Sequence, residues 1–437
     1  MECERILESV GRARVNHFSL PSPILLQRLI ATNPIGGTIK ERNEDFLVDE
    51  IPLIDPSGQG EHLHMGVQKS GLTHDDLLQV VAKQCGVPVR AIGYAGMKDR
   101  QAVTRQTISV HLPGLPDPPV LSHPSVQVLW SRRHDAKLRP GQLQGNRFSI
   151  RIRGVDPLAA PRVLQGLRTL EERGAPNAFG RQRFGNRCNN HVLGALLAAE
   201  RWSDLLAELC GAQGSPFPPS QQEARACFDA GDFRASERLW ARGDFAERAA
   251  VRAMAQGRSP KGSVLAIKQS MLQFWMNATQ SAGLNAVLSA RLELGLFDQF
   301  VAGDVANLHP GRSLFRVHDT MLADSGEASV LARRLKEFDC SPTGPMIGES
   351  SMTTEQNAWA IEEKALHECG LSHAIFAAAK NAPAGERRSL RMKVSDPQVE
   401  AGVDVHGGFI RVAFDLPRGG FATAVLTELM GSEPAVG

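Results

Sequence analysis

Between Gly93 and Gln106 a short apolar entry carries two glycines, Gly93 and Gly96, followed by one carboxylate, Asp99, between Lys98 and Arg100. Glycine lets a backbone approach its partner closely, and neighbouring cations favour the charged form of a carboxylate. Such a group suits a nucleophile or an electrostatic stabiliser better than a proton donor at neutral pH. Taken alone, the residues also fit a turn or a helix cap, so their context has to decide. A second chemical feature is cationic: Ser131 to Gly154 holds Arg132, Arg133, Lys137, Arg139, Arg147, Arg151 and Arg153 against Asp135 alone. Within Asn146 to Arg153, strand alternation puts Arg147, Arg151 and Arg153 on one face and Phe148, Ile150 and Ile152 on the other. That pattern predicts a core side and a side facing phosphate. Further basic groups run from Arg181 and Arg183 to Arg187, and from Arg387 and Arg388 to Lys393. Any one cluster fits a solvated basic edge; three together favour a nucleic acid.

Other chemistries lack their signals. No phosphate-binding P-loop, dinucleotide glycine fingerprint, zinc-protease helix or esterase elbow occurs. His62 and His64 share a strand face without a third ligand nearby, which reads as strand surface because a metal needs three or four convergent ligands. The seven cysteines, Cys3, Cys85, Cys188, Cys210, Cys227, Cys340 and Cys369, are odd in number and widely spaced, the pattern of reduced thiols rather than a disulfide framework or zinc knuckle. A chain of 437 residues with 42% hydrophobic and 22% charged residues predicts a globular protein of two or three domains. Lys+Arg 49 against Asp+Glu 47 gives a net +2, which by itself names no partner. Met1 to Arg5 has no signal-peptide character and no apolar run reaches membrane-spanning length, so a cytoplasmic location without membrane contact is expected.

The elements that must position these groups are legible from periodicity. Asp45 to Ile51, His62 to Lys69, Arg105 to Leu112 and Asn146 to Arg153 alternate as half-buried strands. Thr73 to Asp76 forms an N-cap box before an amphipathic helix that ends at Gly86. Five prolines between Pro113 and Pro124 mark a surface connection, and Asp156-Pro157 opens a helix that stops at Gly174. Helical periods then dominate, over His191 to Trp202, Ser203 to Cys210, Val264 to Thr279 and Thr354 to Cys369, with a break at Ser215 to Ser220. A strand from Phe409 to Leu416 and a helix from Thr423 to Met430 close the chain. A β-rich start and a β end around a helical middle predict an α+β protein: one sheet domain interrupted by a large insertion.

Five segments together resemble the TruD family of tRNA pseudouridine synthases. Gly93 to Gln106 resembles that family's signature block, in which the Asp is catalytic. Ile39 to Glu50 is similar to its N-terminal block, Gly145 to Phe148 to its Gly-Asn-x-Phe block, Gly174 to Gly185 to a central block, and Leu416 to Thr423 to a C-terminal block. The blocks occur in the family's order across nearly the whole chain. Asn43 stands where Pro is usual, Gln101 where His is usual, and Gly420-Phe421 where Ser-Tyr is usual.

The resemblance implies a pseudouridine-synthase-like, mixed and mostly antiparallel sheet in a catalytic domain over residues 1–173 and 389–437. A mainly helical TRUD insertion occupies 174–388 and closes over the sheet, leaving a basic cleft. It implies Asp99, Lys40 and Phe148 as catalytic residues, Lys40 pairing with Asp99 and Phe148 lying against the target base. Asn146, Arg147, Arg151, Arg153, Arg181 and Arg183 are implied as substrate contacts. The partner is a tRNA, modified at uridine 13 and flipped out of its stack, and the chain is expected to act as a monomer. No atoms or electrons enter or leave in the isomerisation, so no cofactor or metal is expected. The alternatives are a catalytically silent RNA-binding protein, and a nuclease or glycosidase using paired carboxylates or a metal.

Overall fold

The computed structural model describes residues 20–24, 27–115, 122–311, 313–323, 326–376, 379, 382–432 and 434–436. Cys3, Met1 to Arg5 and the middle of the proline-rich connection lie outside them. The chain divides into two compact units, one of residues 26–177, 336–338 and 391–437, the other of residues 1–25, 178–335 and 339–390.

The first unit is built on a ten-stranded sheet. Its strands are β1 (Thr38–Ile39), β2 (Phe46–Pro52), β3 (His62–Ser70), β4 (Ile92–Tyr94), β5 (Val103–His111), β6 (Val126–His134), β7 (Leu143–Arg153), β8 (Ser395–Asp404), β9 (Gly407–Pro417) and β10 (Ala435–Val436). The main order is β8-β9-β7-β2-β5-β3-β6, with β4 on β5, and β1 between β7 and β10. Pairing is antiparallel except for β2 with β5 and β1 with β10. Among the described residues, three helices cover the sheet: α1 (His74–Cys85), α2 (Ala160–Arg173) and α3 (Ala422–Met430). Helix α1 starts where the Thr73 hydroxyl accepts from the Asp76 N–H at 3.1 Å and stops at Gly86, whose φ is +66°, as its cap residues require.

Cross-strand partners share a sheet face. The strand registers therefore define one transverse row through Phe414, Phe148, Val48, Thr104 and Lys69, all buried. At one end of the row Phe46, Phe148, Ile150 and Phe414 pack with Leu167 and Leu170 of α2 and Val425 and Leu426 of α3. At the other, Leu63, Met65, Val67, Ile108 and Val110 pack under Leu77 and Val81 of α1. Polar residues lie between these two apolar clusters.

Strands β6 and β8 escape a reading by alternation because both are sheet-edge strands and largely exposed. With little of either face buried, their apolar residues have no fixed period. The chain leaves and rejoins this unit through two short strands, Ala175–Pro176 and Arg391–Met392, which pair antiparallel.

The second unit is mainly helical. Its 25-residue helix, Gln269–Glu293, is buried along most of its length and lies against Asn190–Ala198. A Cβ added to Gly194 would sit 2.1 Å from the Trp275 carbonyl oxygen, so this helix pair needs glycine. The unit also holds a four-stranded antiparallel sheet, ordered Leu314–Arg316, Val305–Leu308, Cys340–Met346, Glu386–Ser389. Periodicity does not announce it: Cys340–Met346 is buried at every position and contains Pro342 and Pro345, so it shows neither alternation nor strand-like composition.

Two sequence expectations about charge are corrected. Arg153 was expected to face phosphate, yet its side chain is 3% exposed and clamped by Asp45 and Asp404, with bonds of 2.6–3.0 Å. Asp45 precedes β2 and Asp404 ends β8, so partners distant in sequence close over the end of β7. The Arg387 to Lys393 cluster is likewise internal in large part: Arg387 forms a buried pair with Glu362, and Arg391 lies over Phe338 and donates to the Arg173 carbonyl. His64, expected on the strand surface, is buried and bonded to the Ala136 carbonyl at 2.9 Å.

Removing one partner of a buried pair strands the other charge. Arg153→Met is therefore expected to destabilise the protein by about 3–5 kcal/mol, read as a lower midpoint in urea unfolding.

Candidate active site

Strand β1 delivers Lys40 at a backbone φ of +58°, a left-handed conformation that residues with a Cβ rarely adopt. Such strain marks positions where the surrounding structure dictates direction. Here it aims the ammonium at the loop between β4 and β5: Lys40 Nζ lies 2.7 Å from Asp99 Oδ2 and 4.3 Å from the centre of the Phe46 ring. The carboxylate side chain is 58% exposed and the lysine side chain 16%. A sheltered cation thus orients an accessible anion.

The loop, residues 95–102, is held by two further lysines pointing in different directions. Lys69 Nζ, fully buried, donates to the carbonyls of Asp99 at 2.6 Å, Leu72 at 2.7 Å and Lys98 at 3.4 Å. The Lys98 ammonium lies 3.1 Å from Glu50 Oε2 and donates to Asn146 Oδ1, while Glu50 Oε1 accepts from the Thr107 N–H at 3.1 Å. Lys98 and Glu50 are both buried. Burial lowers the Lys69 pKa to about 8, against the opposing pull of Asp99 and with added repulsion from Lys98. Burial also lowers the pKa of His74 at the start of α1, whose ring meets that of Tyr94 edge-on at 4.4 Å. Of the two glycines, Gly93 needs its lack of a side chain, since a Cβ there would lie 2.3 Å from the Leu138 carbonyl; Gly96 has ordinary clearance.

The structure brings together Asp99, Lys40 and Asn146, the last through Lys98. Phe148 sits in the aromatic core, 7% exposed, 5.8 Å from Phe414 and 6.3 Å from Phe46. Arg147 is paired with Asp415 and Asp396. Arg151 is part-exposed, its guanidinium 5.0 Å from the Phe409 ring. The face of β7 read as facing phosphate is therefore largely matched by carboxylates from β8 and β9. In the helical unit Arg181 is exposed, whereas Arg183 lies over the rings of Phe179 and Phe274, where burial lowers its pKa. Sequence reasoning missed Lys69 and Glu50. A signal existed: Lys69 keeps the phase of Leu63, Met65 and Val67, and Glu50 that of Phe46 and Val48, so both point with the apolar residues of their strands. No group of three or more metal-ligating side chains occurs among the described residues, and no described helix is long and apolar enough to cross a membrane.

In fold, the chain resembles a solved crystal structure from Methanosarcina mazei provisionally identified as tRNA pseudouridine synthase D (TruD), with a TM-score of 0.81, 24% identity, and coverage of 95% of this chain and 98% of that one. This is a mixed α+β architecture around a large, mostly antiparallel sheet. The family model for tRNA pseudouridine synthase D (TruD) matches residues 26–429, and the chain belongs to that family. Curated relatives called tRNA pseudouridine synthase D include one from Syntrophotalea carbinolica, 35% identical over 401 residues (91% of this chain, 97% of the relative). Another, from Geobacter metallireducens, is 36% identical over 408 residues (91% and 96%). The chain is accordingly a pseudouridine synthase, an isomerase acting by intramolecular transfer.

Proposed function

We propose that this chain converts a uridine of tRNA, at position 13 in the D-arm, to pseudouridine, with Asp99 as the reacting carboxylate. The observation that supports this most directly is the exposed Asp99 carboxylate 2.7 Å from the sheltered Lys40 ammonium, on a loop whose carbonyls are held by a third group. The reaction breaks the N1–C1′ bond, turns the uracil in place and joins C5 to C1′; the C5 proton leaves and N1 takes one up. An oriented carboxylate serves each route: attack at C1′, attack at C6, or removal of the C2′ proton to give a glycal. The target cannot be reached within a base stack, so the nucleotide is extruded into the site. Lys40 keeps the carboxylate aligned, Asn146 orders the loop through Lys98, and Phe148, buried in the aromatic core, supports the site from beneath. The sheet unit carries the chemistry. The insertion, read over residues 174–388, offers Arg181 and Arg183 to the RNA.

The test is mass spectrometry or carbodiimide mapping of tRNA from cells lacking this protein, before and after complementation. Wild type is expected to restore pseudouridine at position 13 and Asp99→Ala to leave uridine there. Restoration by Asp99→Ala would reject the assignment, and shortened RNA or free uracil would favour a nuclease or glycosidase.

Contacts to phosphate release counterions and make affinity fall with salt. With about three such contacts, the tRNA affinity is expected to drop roughly 20- to 40-fold between 50 and 200 mM KCl. Arg151→Ala should reduce the slope of log affinity against log salt by about 1, whereas Arg153→Ala should leave the slope unchanged in protein that remains folded. Fluorescence anisotropy across a KCl series reads both.

A further inference from the structure

We propose that Lys69 is a positioning residue for the isomerisation: its buried ammonium gathers the carbonyls of Leu72, Lys98 and Asp99 and so sets the direction in which the Asp99 carboxylate leaves its loop. This rests on the reading of Asp99 as the reacting group. A lysine head offers three donors and no acceptor, and this one meets three carbonyls at 2.6, 2.7 and 3.4 Å. Burying a charge is costly unless its partners repay the lost hydration. Here the partners are backbone dipoles, two of them from the catalytic segment. An apolar residue would suit the apolar phase of β3 better if packing were the only requirement. Lys69 also sits opposite Thr104 on β5, so the clamp joins two sheet strands to the loop that bears the carboxylate. Lys40 then acts on the side chain of Asp99 and Lys69 on its backbone.

The charged neighbours of Lys69 are Asp99 and Lys98 on the loop and the titratable His74 on α1, with Glu50 balancing Lys98 from β2. With a pKa lowered to about 8 from an ordinary 10.5, the ammonium is charged at neutral pH and loses its proton as pH rises through 8. The neutral amine keeps two donors and turns a lone pair toward a carbonyl, so the clamp loosens and turnover falls. Stability moves the other way. Between about pH 8 and 10.5 the unfolded lysine binds more protons than the folded one, so this group's contribution to folding stability rises with pH. Titration of this group therefore does not itself unfold the protein in that interval.

The experiment is single-turnover release of tritium from C5 of labelled uridine in a tRNA transcript, from pH 6.5 to 9.5, for wild type, Lys69→Met and Asp99→Asn. Unfolding midpoints and tRNA affinities are measured alongside. The wild-type rate is expected to fall through about pH 8, and Lys69→Met to be slower by about 10- to 100-fold at pH 7, with tRNA affinity within twofold and no limb near pH 8. If Lys69→Met matches wild type, or keeps its alkaline limb, while Asp99→Asn is inactive, the inference falls and the Asp99 reading stands. If Asp99→Asn turns over like wild type, that reading itself falls. Should Lys69→Met not fold, a wild-type rate constant from pH 7 to 9 overturns the inference, and a fall through about 8 with the fold intact supports it.

Discussion

Asp99→Asn is expected to lower single-turnover pseudouridine formation by at least about 10³-fold, because the substitution removes the reacting carboxylate and nothing else of comparable size. The side chain is 58% exposed, and exposed substitutions away from caps and buried networks shift stability little. The unfolding midpoint should therefore stay close to wild type. Affinity for tRNA should also stay close, since an anion facing a polyanion adds nothing to binding. Loss of turnover with binding retained also separates an enzyme from a silent RNA-binding protein. Wild-type turnover by Asp99→Asn would remove the carboxylate from the mechanism.

The second large effect is expected at Lys40. Lys40→Met should reduce the turnover rate about 100-fold with a smaller change in KM, since it frees a carboxylate that must be aligned to react. The backbone offers a control. At φ +58° a glycine carries no Cβ penalty, and Lys40→Gly should be more stable than Lys40→Met by about 1 kcal/mol. If the ammonium is what matters, both variants are equally slow although they differ in stability. If Lys40 serves only to shape the turn, the glycine variant recovers activity. Turnover and urea midpoints measured on the same preparations distinguish the two.

Several features were legible in the chain because they depend on local periodicity. The phases of β2, β3, β5 and β7, the Thr73 cap of α1 and the Gly174 stop of α2 each follow from residues a few positions apart. The signature around Asp99 was legible for the same reason, its glycines and charges being contiguous. Arg153 and Arg387 were misread as cations awaiting phosphate because their carboxylates, Asp45 with Asp404 and Glu362, lie 25 to 251 positions away. The four-stranded sheet in the helical unit was missed because a strand buried on both faces has no alternation. Lys69 shows where local pattern was informative but easy to discount: a lysine in apolar phase looks like an exception until its three carbonyls are seen.

Residue types and their spacing, by themselves, determined which carboxylate is the candidate for the chemistry, the phases of the principal strands and the family to which the chain belongs. Tertiary structure alone decided which cations are spent inside the protein and which groups hold the reactive loop. Charge pairing and loop geometry depend on distances of a few ångströms between segments far apart in the chain, and only folding brings those segments together.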